Sequence, residues 1–597
     1  MQMNEQTNRH TFESKRQKIL KRFKRTDSLV TKKLLAYIPV MIFTNLSTLL
    51  LISIDGIVVG NLLGPNALAS VNIFYPASIL IGVASGWVTG GISNVLSVSM
   101  GKNDHQGILN AKLASKQIMI ISAFIVSLVQ IPVVALIINS YQLSPEMVQL
   151  TWQYAIGVMV AAPFGLISTV GVLQLQIIGK TKILLGLSVT ESVVNLFLDF
   201  LFVGLFHMGI AGAGYGTMAA NILRCLLTVL YIAFRTDIYK SKGAVFGWNH
   251  IRRILSKGLP DAANSLMLAI QNIFLMKIIL SSLGETGGAI KGVCALALSS
   301  ALVLVNSILG STRPLAGIMT GGRDWAGMRL LMRRCVFVNI LLVGGFTAVC
   351  EFFPNLFYII NGMKDIPENG LFILQLFAVH FLFKGINSQF RLYFSLRHDA
   401  RFTTLLTIIG NATLPLFAFG LTKILPAAWL WAAYTLTELT LLSFNLAHYR
   451  KRLKADSREL EDDIGLFYLT LKPDEAIEAS KEIHAYADEI GFEKKYSYRI
   501  ALCIEEMVAY VKSSQKNGNI NIQIIIRFQE NGAIFMMLDD GKCIALDDVK
   551  ETRKLITSNY DLIKKLANTV EYQYLQNMNY SVLTFDCPMH HKQEERT

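Results

Sequence analysis

The first 450 residues of this chain consist mainly of apolar stretches long enough to cross a lipid bilayer. A transmembrane helix needs about 20 mainly apolar residues to span roughly 30 Å of hydrocarbon. Near Arg450 the composition changes, and a polar, acidic segment of ordinary globular character follows. The sequence therefore predicts a polytopic α-helical membrane protein that carries a C-terminal soluble domain. The polar residues inside the apolar stretches are the first candidates for function.

The charge of the chain follows this division. The formal net charge is +14, yet the chain from Asp456 onward holds 17 Lys and Arg against 25 Asp and Glu. The positive excess therefore lies in the membrane part, where basic residues report topology, and no nucleic-acid partner is expected. Residues 1–33 contain no short apolar core of a cleavable signal peptide. The seven cysteines form no CxxC pair, so neither a disulfide framework nor a metal site is predicted.

Twelve apolar stretches are candidates for transmembrane helices. They cover residues 33–60, 67–99, 113–139, 150–178, 182–206, 210–235, 256–283, 291–320, 332–360, 370–396, 402–423 and 426–449. The connecting segments alternate between basic ones and ones nearly free of Lys and Arg. Because basic loops stay on the cytoplasmic side, both termini are predicted to be cytoplasmic, in a bacterial inner membrane.

The two halves of the membrane part have similar glycine-containing and basic segments after their second helices. The second stretch ends near Gly90-Gly91 and is followed by Gly101-Lys102, whereas the eighth ends near Pro314 and is followed by Gly321-Gly322-Arg323. A repeat of six plus six helices is typical of transporters, although glycine stops helices in any protein. The predicted domains are a basic N-terminal tail (1–32), a first six-helix lobe (33–235), a cytoplasmic link (236–255), a second six-helix lobe (256–449), a charged linker (450–463) and a soluble domain (464–597).

Two carboxylates and an amide are expected at one depth in the first lobe. Asp55 and Asp199 each lie a few residues before the outer end of an outward-running helix, and Asn195 is one helical turn deeper than Asp199. Two nearby carboxylates in a low dielectric resist being ionised together, so such a group can hold a proton or a Na⁺. The alternative is that both acids are helix-end residues that face the outer water.

Several motifs of the membrane part resemble those of multidrug and toxic compound extrusion (MATE) transporters. The resemblance covers about residues 33–450. The motifs that carry it are Ile54-Asp55-Gly56-Ile57-Val58-Val59-Gly60, Asn195-Leu196-Phe197-Leu198-Asp199, Gly209-Ile210-Ala211-Gly212 and Gly258-Leu259-Pro260. It implies that Asp55, Asn195 and Asp199 match the cation or proton site of the N-terminal lobe in that family. The sequence does not choose between H⁺ and Na⁺.

The second lobe is basic where acids would be expected. The carboxylates that some members of the family carry in the seventh and tenth helices are not matched here. Lys384 and Arg391 instead lie seven residues apart on the tenth stretch, Lys277 lies on the seventh, and Glu438 lies midway along the twelfth. One interpretation is a basic substrate cavity that favours anionic or zwitterionic solutes. The other is that Arg391 reaches the cytoplasmic face and Lys384 forms an internal pair with Glu438.

The soluble domain is predicted to be a two-layer α/β structure. Strands are expected at 466–471, 520–528, 533–538, 570–575 and 581–585, with helices from Pro473 to about Ile490, over 493–514 and near 560–566. This order resembles the GHKL ATPase fold, especially bacterial anti-sigma-factor serine kinases. The resemblance implies a general base at Glu506, and an adenine-binding acid at Asp539 followed by Gly541.

The nucleotide motifs of this domain depart from that family. Tyr510 stands where an Asn should hold Mg²⁺, Cys543 replaces a glycine, and the segment around Tyr560 lacks the glycines of a phosphate-binding lid. Close approach of backbone N–H groups to phosphate depends on such glycines. We therefore expect no catalytic activity, no cofactor, and ATP binding no better than high micromolar.

The leading hypothesis is a secondary antiporter that exports an organic solute or drug as H⁺ or Na⁺ enters, with a regulatory cytoplasmic domain. Its partners are membrane lipids, a small organic solute and a cytoplasmic protein that binds the soluble domain. One alternative is a membrane sensor that signals through the soluble domain. Another is a lipid or polysaccharide flippase of the same superfamily.

Overall fold

A computed structural model describes most of the chain between residues 29 and 586. The described part omits residues 64, 103, 141–143, 237–246, 322–323, 361–365, 398, 460–462, 514–519, 530, 542–560 and 576–577. It groups into two compact units, one running from Ala36 to Arg450 and the other joining Lys451 onward with the residues before Ala36. Each unit is described separately.

The first half of the membrane unit contains six long helices. They are α1 (Leu29–Leu63), α2 (Pro65–Gly101), α3 (His105–Ser140), α4 (Pro145–Ile177), α5 (Thr181–Asp199) and α6 (Gly209–Arg235). A π-helical turn, Phe200–Leu205, directly follows α5. Single π-helical turns are rare and occur often at functional sites, and this one begins immediately after Asp199.

The second half begins with one long helical stretch, Trp248–Gly321, which is broken at Gly284 by a positive φ of 60°. We call its two parts α7 and α8. They are followed by α9 (Trp325–Phe352), a short helix (Pro354–Ile360), α10 (Gly370–Leu396), α11 (Ala400–Ile424), a 3₁₀ turn (Ala427–Trp431) and α12 (Ala432–Glu459). α12 thus continues into the predicted linker, because its Lys, Arg and Glu residues are good helix formers.

Ten segments of the described helices are long and apolar enough to cross a membrane. The helices α2 and α12 are not among them, so the count of twelve stays a prediction. Large apolar side chains face outward from the helices, for example Phe124 with 66% and Leu136 with 71% of its surface exposed. An exposed apolar surface of this kind suits contact with lipid chains.

Several described contacts between the two halves lie near the helix ends predicted to be cytoplasmic. The Trp87 indole of α2 donates a hydrogen bond of 2.8 Å to the Leu255 carbonyl of α7. The Asn94 amide of α2 donates to Ser395 Oγ of α10 at 2.8 Å. Glycine allows the backbones to approach here, since a Cβ added at Gly258 would lie 1.9 Å from the Trp87 carbonyl oxygen.

The C-terminal unit contains a five-stranded antiparallel sheet. Its strands are β1 (Asp463–Leu471), β2 (Ile522–Gln529), β3 (Gly532–Asp539), β4 (Thr569–Leu575) and β5 (Met578–Asp586), in the spatial order β1-β2-β3-β5-β4. All five predicted strands are confirmed, with ends within about three residues of those predicted. The two long predicted helices are confirmed as well, as α13 (Ala476–Glu489) and α14 (Lys494–Ser513).

The helices of this unit pack on the sheet through an apolar face. Ile500, Ile504 and Val508 of α14 recur every four residues and are fully buried. They belong to one core cluster with Ile524 of β2 and Phe535 of β3. The result is a two-layer structure. Within its sheet, the end of β3 lies beside the start of β5, because Asp539 pairs with Asn579 in the antiparallel register.

Candidate functional site

A buried polar face follows one side of α5. Its members recur at spacings of three and four residues, which is the repeat of a single helical face. They are Ser188, Glu191, Ser192, Asn195 and Asp199, and none has more than 9% of its surface exposed. In a membrane helix, a buried polar face is costly and points to an ion or substrate pathway.

The helix α6 forms the opposite wall at Asn195 and Asp199. The Asn195 amide donates to Thr217 Oγ1 at 3.3 Å. A Cβ added at Gly216 would lie 2.1 Å from Asp199 Oδ1, so the carboxylate occupies space that only glycine leaves open. Asn195 Oδ1 is buried and receives no hydrogen bond from the described residues. Carboxylate, amide and hydroxyl oxygens are ligands for hard cations, and a carboxylate also takes a proton.

Asp55 lies on α1, but its side chain is outside the described residues. The nearest described link between α1 and α5 is the hydrogen bond of 2.9 Å from Ser192 Oγ to the Ser47 carbonyl. Asp55 is eight residues beyond Ser47, and Asp199 is seven residues beyond Ser192. With both helices running in the predicted direction, the two acids lie at similar heights, about 11–12 Å from this link.

A buried ion pair joins α5 to α6, and it was not predicted from the sequence. Arg224 Nη1 lies 2.6 Å from Glu191 Oε2, and their side chains are 14% and 4% exposed. The pair lies two helical turns from Asp199 along α5. The available signal was the position of each residue inside an apolar stretch, because a charge there requires a partner.

The second half contains a polar network on α10 and α12. Lys384 Nζ lies 3.2 Å from Glu438 Oε1. Asn387 donates to Glu438 Oε2 at 2.8 Å, and Asn445 donates to Asn387 Oδ1 at 2.9 Å. The sequence analysis missed His380, which lies one turn from Lys384 and is also buried. Lys384 and Glu438 thus lie together, as the interpretation of an internal pair required.

The other predicted basic residues lie apart from this pair. Arg391 Nη1 donates a hydrogen bond of 2.8 Å to Asn264 Oδ1 of α7, which is a neutral partner. Lys277 is exposed on α7, and no contact joins it to Lys384 or Arg391 among the residues that the structure describes. The three predicted basic residues therefore do not form one group. Lys384 lies in the middle of α10, Arg391 lies nearer the end of α10, and Lys277 lies apart from both on α7.

In the C-terminal unit, Asp539 is enclosed by hydrogen-bond donors. Its Oδ1 accepts from Asn579 Nδ2 at 2.6 Å and from the Gly541 N–H at 2.9 Å. Burial raises the pKa of Asp539 to about 6, although these hydrogen bonds oppose the rise. Glu506 is partly buried on α14, and Tyr510 belongs to the apolar core. Cys543 and Tyr560 lie outside the described residues.

Asp540 is held by a different set of partners. Its oxygens accept from Asn521 N at 2.8 Å and from Asn521 Nδ2 at 2.9 Å. Lys32, which groups with this unit, donates to Oδ2 at 3.1 Å. Burial disfavours the charged carboxylate, but the donors outweigh it, and the pKa of Asp540 is lowered. The acid pair at the end of β3 is thus held largely by partners from its own unit.

Comparisons with known proteins agree with the membrane architecture. The MatE family model matches residues 40–201. A curated relative, the probable multidrug resistance protein YpnP of Bacillus subtilis (strain 168), is 25% identical over 244 residues. That match covers 38% of this chain and 51% of the relative, so the chain spans about half the length of the curated protein it matches.

Two solved structures share the fold of the membrane unit. One is an outward-facing conformation of a multidrug resistance MATE family transporter of the MOP superfamily. The other is a MOP superfamily transporter from Pyrococcus furiosus Vc1, described as having a binding pocket of reverse polarity that suggests a different function. Each is 19% identical with a TM-score of 0.68, and each match covers 73% of this chain and 98% of that structure. The chain is thus similar to MATE proteins over residues 40–201, and its membrane unit has the fold of the two solved transporters.

Proposed function

We propose that this protein is a secondary active antiporter that exports an organic solute as H⁺ or Na⁺ enters. The observation that carries the proposal is the fully buried pair Asn195 and Asp199, set against Thr217 and Gly216 inside an apolar membrane helix. The match to MatE over residues 40–201 includes this pair and Asp55. The Bacillus relative, described as a multidrug resistance protein, supports organic solutes as the exported class.

In this proposal, Asp55 and Asp199 share the entering ion. An ion at this position neutralises a buried carboxylate, and the stabilisation is lost when the ion leaves. Coupling then requires that the two arrangements of the halves bind the ion with different affinity, since a ligand shifts an equilibrium only by that difference. The Asn195 oxygen and the Thr217 hydroxyl supply neutral ligands, which hold the ion without adding charge.

The test is ion-coupled transport in proteoliposomes, with H⁺ and Na⁺ gradients imposed separately. Asp55→Asn and Asp199→Asn should each abolish gradient-driven flux. Each variant should still insert into the membrane and elute like the wild type in size-exclusion chromatography. The double variant should be no worse than either single variant, because both acids serve one site. Glu146→Gln, at an exposed position on α4, is the matched control and should transport normally. Wild-type flux in the double variant would refute the proposal.

A second candidate function is the movement of an amphiphilic lipid or polysaccharide carrier. The basic residues Lys384 and Arg391 favour it, because a positively charged face suits an anionic head group better than a cationic drug. The Pyrococcus transporter with a pocket of reverse polarity provides a precedent within the same fold. Solute efflux and lipid movement, measured in the same vesicles, separate the two functions.

We place the protein in a bacterial cytoplasmic membrane, with the C-terminal domain in the cytoplasm as a regulator or protein-binding module. Truncation after Arg450 tests this role. A regulatory domain predicts that the truncated chain still transports, with an altered rate. Complete loss of transport in a truncated protein that still inserts would favour a domain required for the transport cycle.

A further inference from the structure

One face of α10 carries its charged residues and several polar ones. His380, Lys384, Asn387, Arg391 and Ser395 follow one another at spacings of four, three, four and four residues. At about 100° per residue, all five lie within an arc of roughly 80°. A charged face on a helix at membrane depth is expensive unless it is directed toward protein or a water-filled space.

The contacts along this face change from one end to the other. Near its C-terminal end, the Ser395 hydroxyl accepts a hydrogen bond from Asn94 of α2, which belongs to the first half. At its middle, Lys384 and Asn387 contact Glu438 of α12, within the second half. Lys384 is eleven residues from Ser395, which is about 16 Å along the helix and near the middle of α10. The lysine thus lies at mid-membrane depth on the helix face that meets the first half at Ser395, and a transporter of this architecture handles substrate between its halves.

The pair formed by Lys384 and Glu438 is asymmetric. The side chain of Lys384 is 35% exposed, whereas that of Glu438 is 10% exposed. Lys384 is therefore the more accessible partner of the pair. Glu438 also accepts from Asn387, so it keeps a hydrogen bond when the ammonium turns away. A lysine ammonium has three donors, and the described contacts direct one of them at Glu438, which leaves two for a ligand.

The charge along this face is positive. Arg391 is hydrogen-bonded to the neutral amide of Asn264, and Glu438 is the carboxylate that contacts Lys384. The described part of α10 thus presents two cations and is balanced by one acid from α12. An ammonium group and a guanidinium group two helical turns apart on one face attract carboxylate, sulfonate and phosphate groups.

We propose that Lys384 binds the anionic group of the transported solute and that Glu438 is the counter-ion which this group displaces. Without solute, Glu438 is the counter-ion that contacts the ammonium group. With solute, the anion replaces the carboxylate, which remains bonded to Asn387. The proposal rests on the proposed transport function and names its substrate class: an amphiphilic organic anion or zwitterion, free or as a lipid head group.

The experiment compares two xanthene dyes of similar size in proteoliposomes: fluorescein, which is an anion, and tetramethylrhodamine methyl ester, which is a cation. Fluorescent phosphatidylglycerol in the same vesicles reports a lipid source of the anion. We expect Lys384→Met to raise the KM for an anionic probe at least about tenfold, and Lys384→Arg to restore most of the affinity. Glu438→Gln should lower that KM, because it removes the competing carboxylate. Lys423→Met, at the far end of α11, is the matched control and should leave the KM unchanged.

A purely structural pair gives a different pattern. Lys384→Met and Glu438→Gln would then both lower the melting temperature, and the KM for fluorescein relative to the cationic dye would not move. That result would overturn the proposal. The double variant Lys384→Met with Glu438→Gln, which leaves no unpaired charge, guards against loss of folding, and it should lose anion binding as Lys384→Met does.

The proposal and the transport function can fail separately. Export of the cationic dye alone would support transport and overturn the anion site. If wild-type protein moves none of the probes, fluorescein anisotropy with the detergent-purified protein decides. Binding that is lost in Lys384→Met would support the anion site without transport, and absence of binding would overturn it.

Discussion

At the scale of single residues, the ion pair between Glu191 and Arg224 is the feature whose disruption should cost the most stability. Both charges lie inside apolar helices at 2.6 Å separation, and Glu191 is almost fully buried. Removal of one partner leaves the other as an unpaired buried charge, which costs about 3–5 kcal/mol. We therefore expect Arg224→Leu and Glu191→Leu each to lower the melting temperature of the detergent-purified protein markedly.

The double variant Glu191→Leu with Arg224→Leu should melt close to the wild type, because it removes both charges together. Glu146→Gln, which changes an exposed acid on α4, should shift the melting temperature little. Additive losses in the double variant would contradict a coupled pair. The depth of Asp55, Asn195 and Asp199 made them candidates from the sequence, whereas this pair was not predicted, although each charge lies inside an apolar stretch and therefore requires a partner.

Asp539 gives the C-terminal domain a pH dependence with a definite sign. Burial raises its pKa to about 6, above the ordinary aspartate value. The folded domain therefore binds this proton more tightly than the unfolded chain, and the domain loses stability as the pH rises from about 4 to about 6. Asp539→Asn keeps an oxygen for the Gly541 and Asn579 donors and removes the charge, so it should stabilise the domain near pH 7 by about 2–3 kcal/mol.

Urea unfolding of a fragment covering 456–597, at about pH 4.5 and at about pH 7, measures this effect. The gain should be full at the higher pH and fall to about a third at the lower one, because there the folded carboxyl is protonated while the unfolded one is still mostly ionised. Asp586→Asn, at an exposed position at the end of β5, should behave like the wild type at both. An equal gain at both pH values would mean that the charge of Asp539 is not the cause.

At the scale of helices and strands, the contact between α2 and α7 depends on glycine. A Cβ at Gly258 would meet the Trp87 carbonyl oxygen at 1.9 Å, so Gly258→Ala must push these helices apart. Overpacking of this kind costs about 1–3 kcal/mol. We expect Gly258→Ala to weaken the contact between the halves, and to speed maleimide labelling of Ser395→Cys at least about fivefold.

The control is Gly186→Ala on α5, because a Cβ there meets no atom within 4 Å. It should leave the labelling rate unchanged. Equal rates in the Gly258→Ala and wild-type backgrounds would show that this contact does not limit access to Ser395.

The elements that the sequence predicted well are those with a strong local pattern. The strands of the C-terminal sheet are short apolar runs between polar turns, and they were located to within about three residues. The long apolar stretches revealed the membrane helices, but several helix ends differ from the predicted ones by five to ten residues. The break at Gly284 falls at the predicted boundary between the seventh and eighth apolar stretches, whereas the π-helical turn after Asp199 was not predicted. The π-helical turn depends on the backbone path between packed helices rather than on composition.

At the scale of the whole molecule, orientation in the membrane connects the residue arguments. The equal heights of Asp55 and Asp199 require that both helices run in the same direction, and the alternation of basic loops predicts that both run outward. That alternation places the link around Ser241 on the cytoplasmic side and the segment around Asn361 outside. Both positions lie outside the described residues, so sequence charge is the basis of the prediction.

Ser241→Cys and Asn361→Cys, introduced separately, should therefore report opposite sides of the membrane. A membrane-impermeant maleimide added to intact cells should label Asn361→Cys, and should label Ser241→Cys only after the cells are permeabilised. The unsubstituted chain is the control for its own cysteines, and the five that the structure describes are buried. Labelling of both positions in intact cells would reject the orientation. It would also remove the argument that Asp55 and Asp199 share one ion, because their common height depends on the direction of both helices.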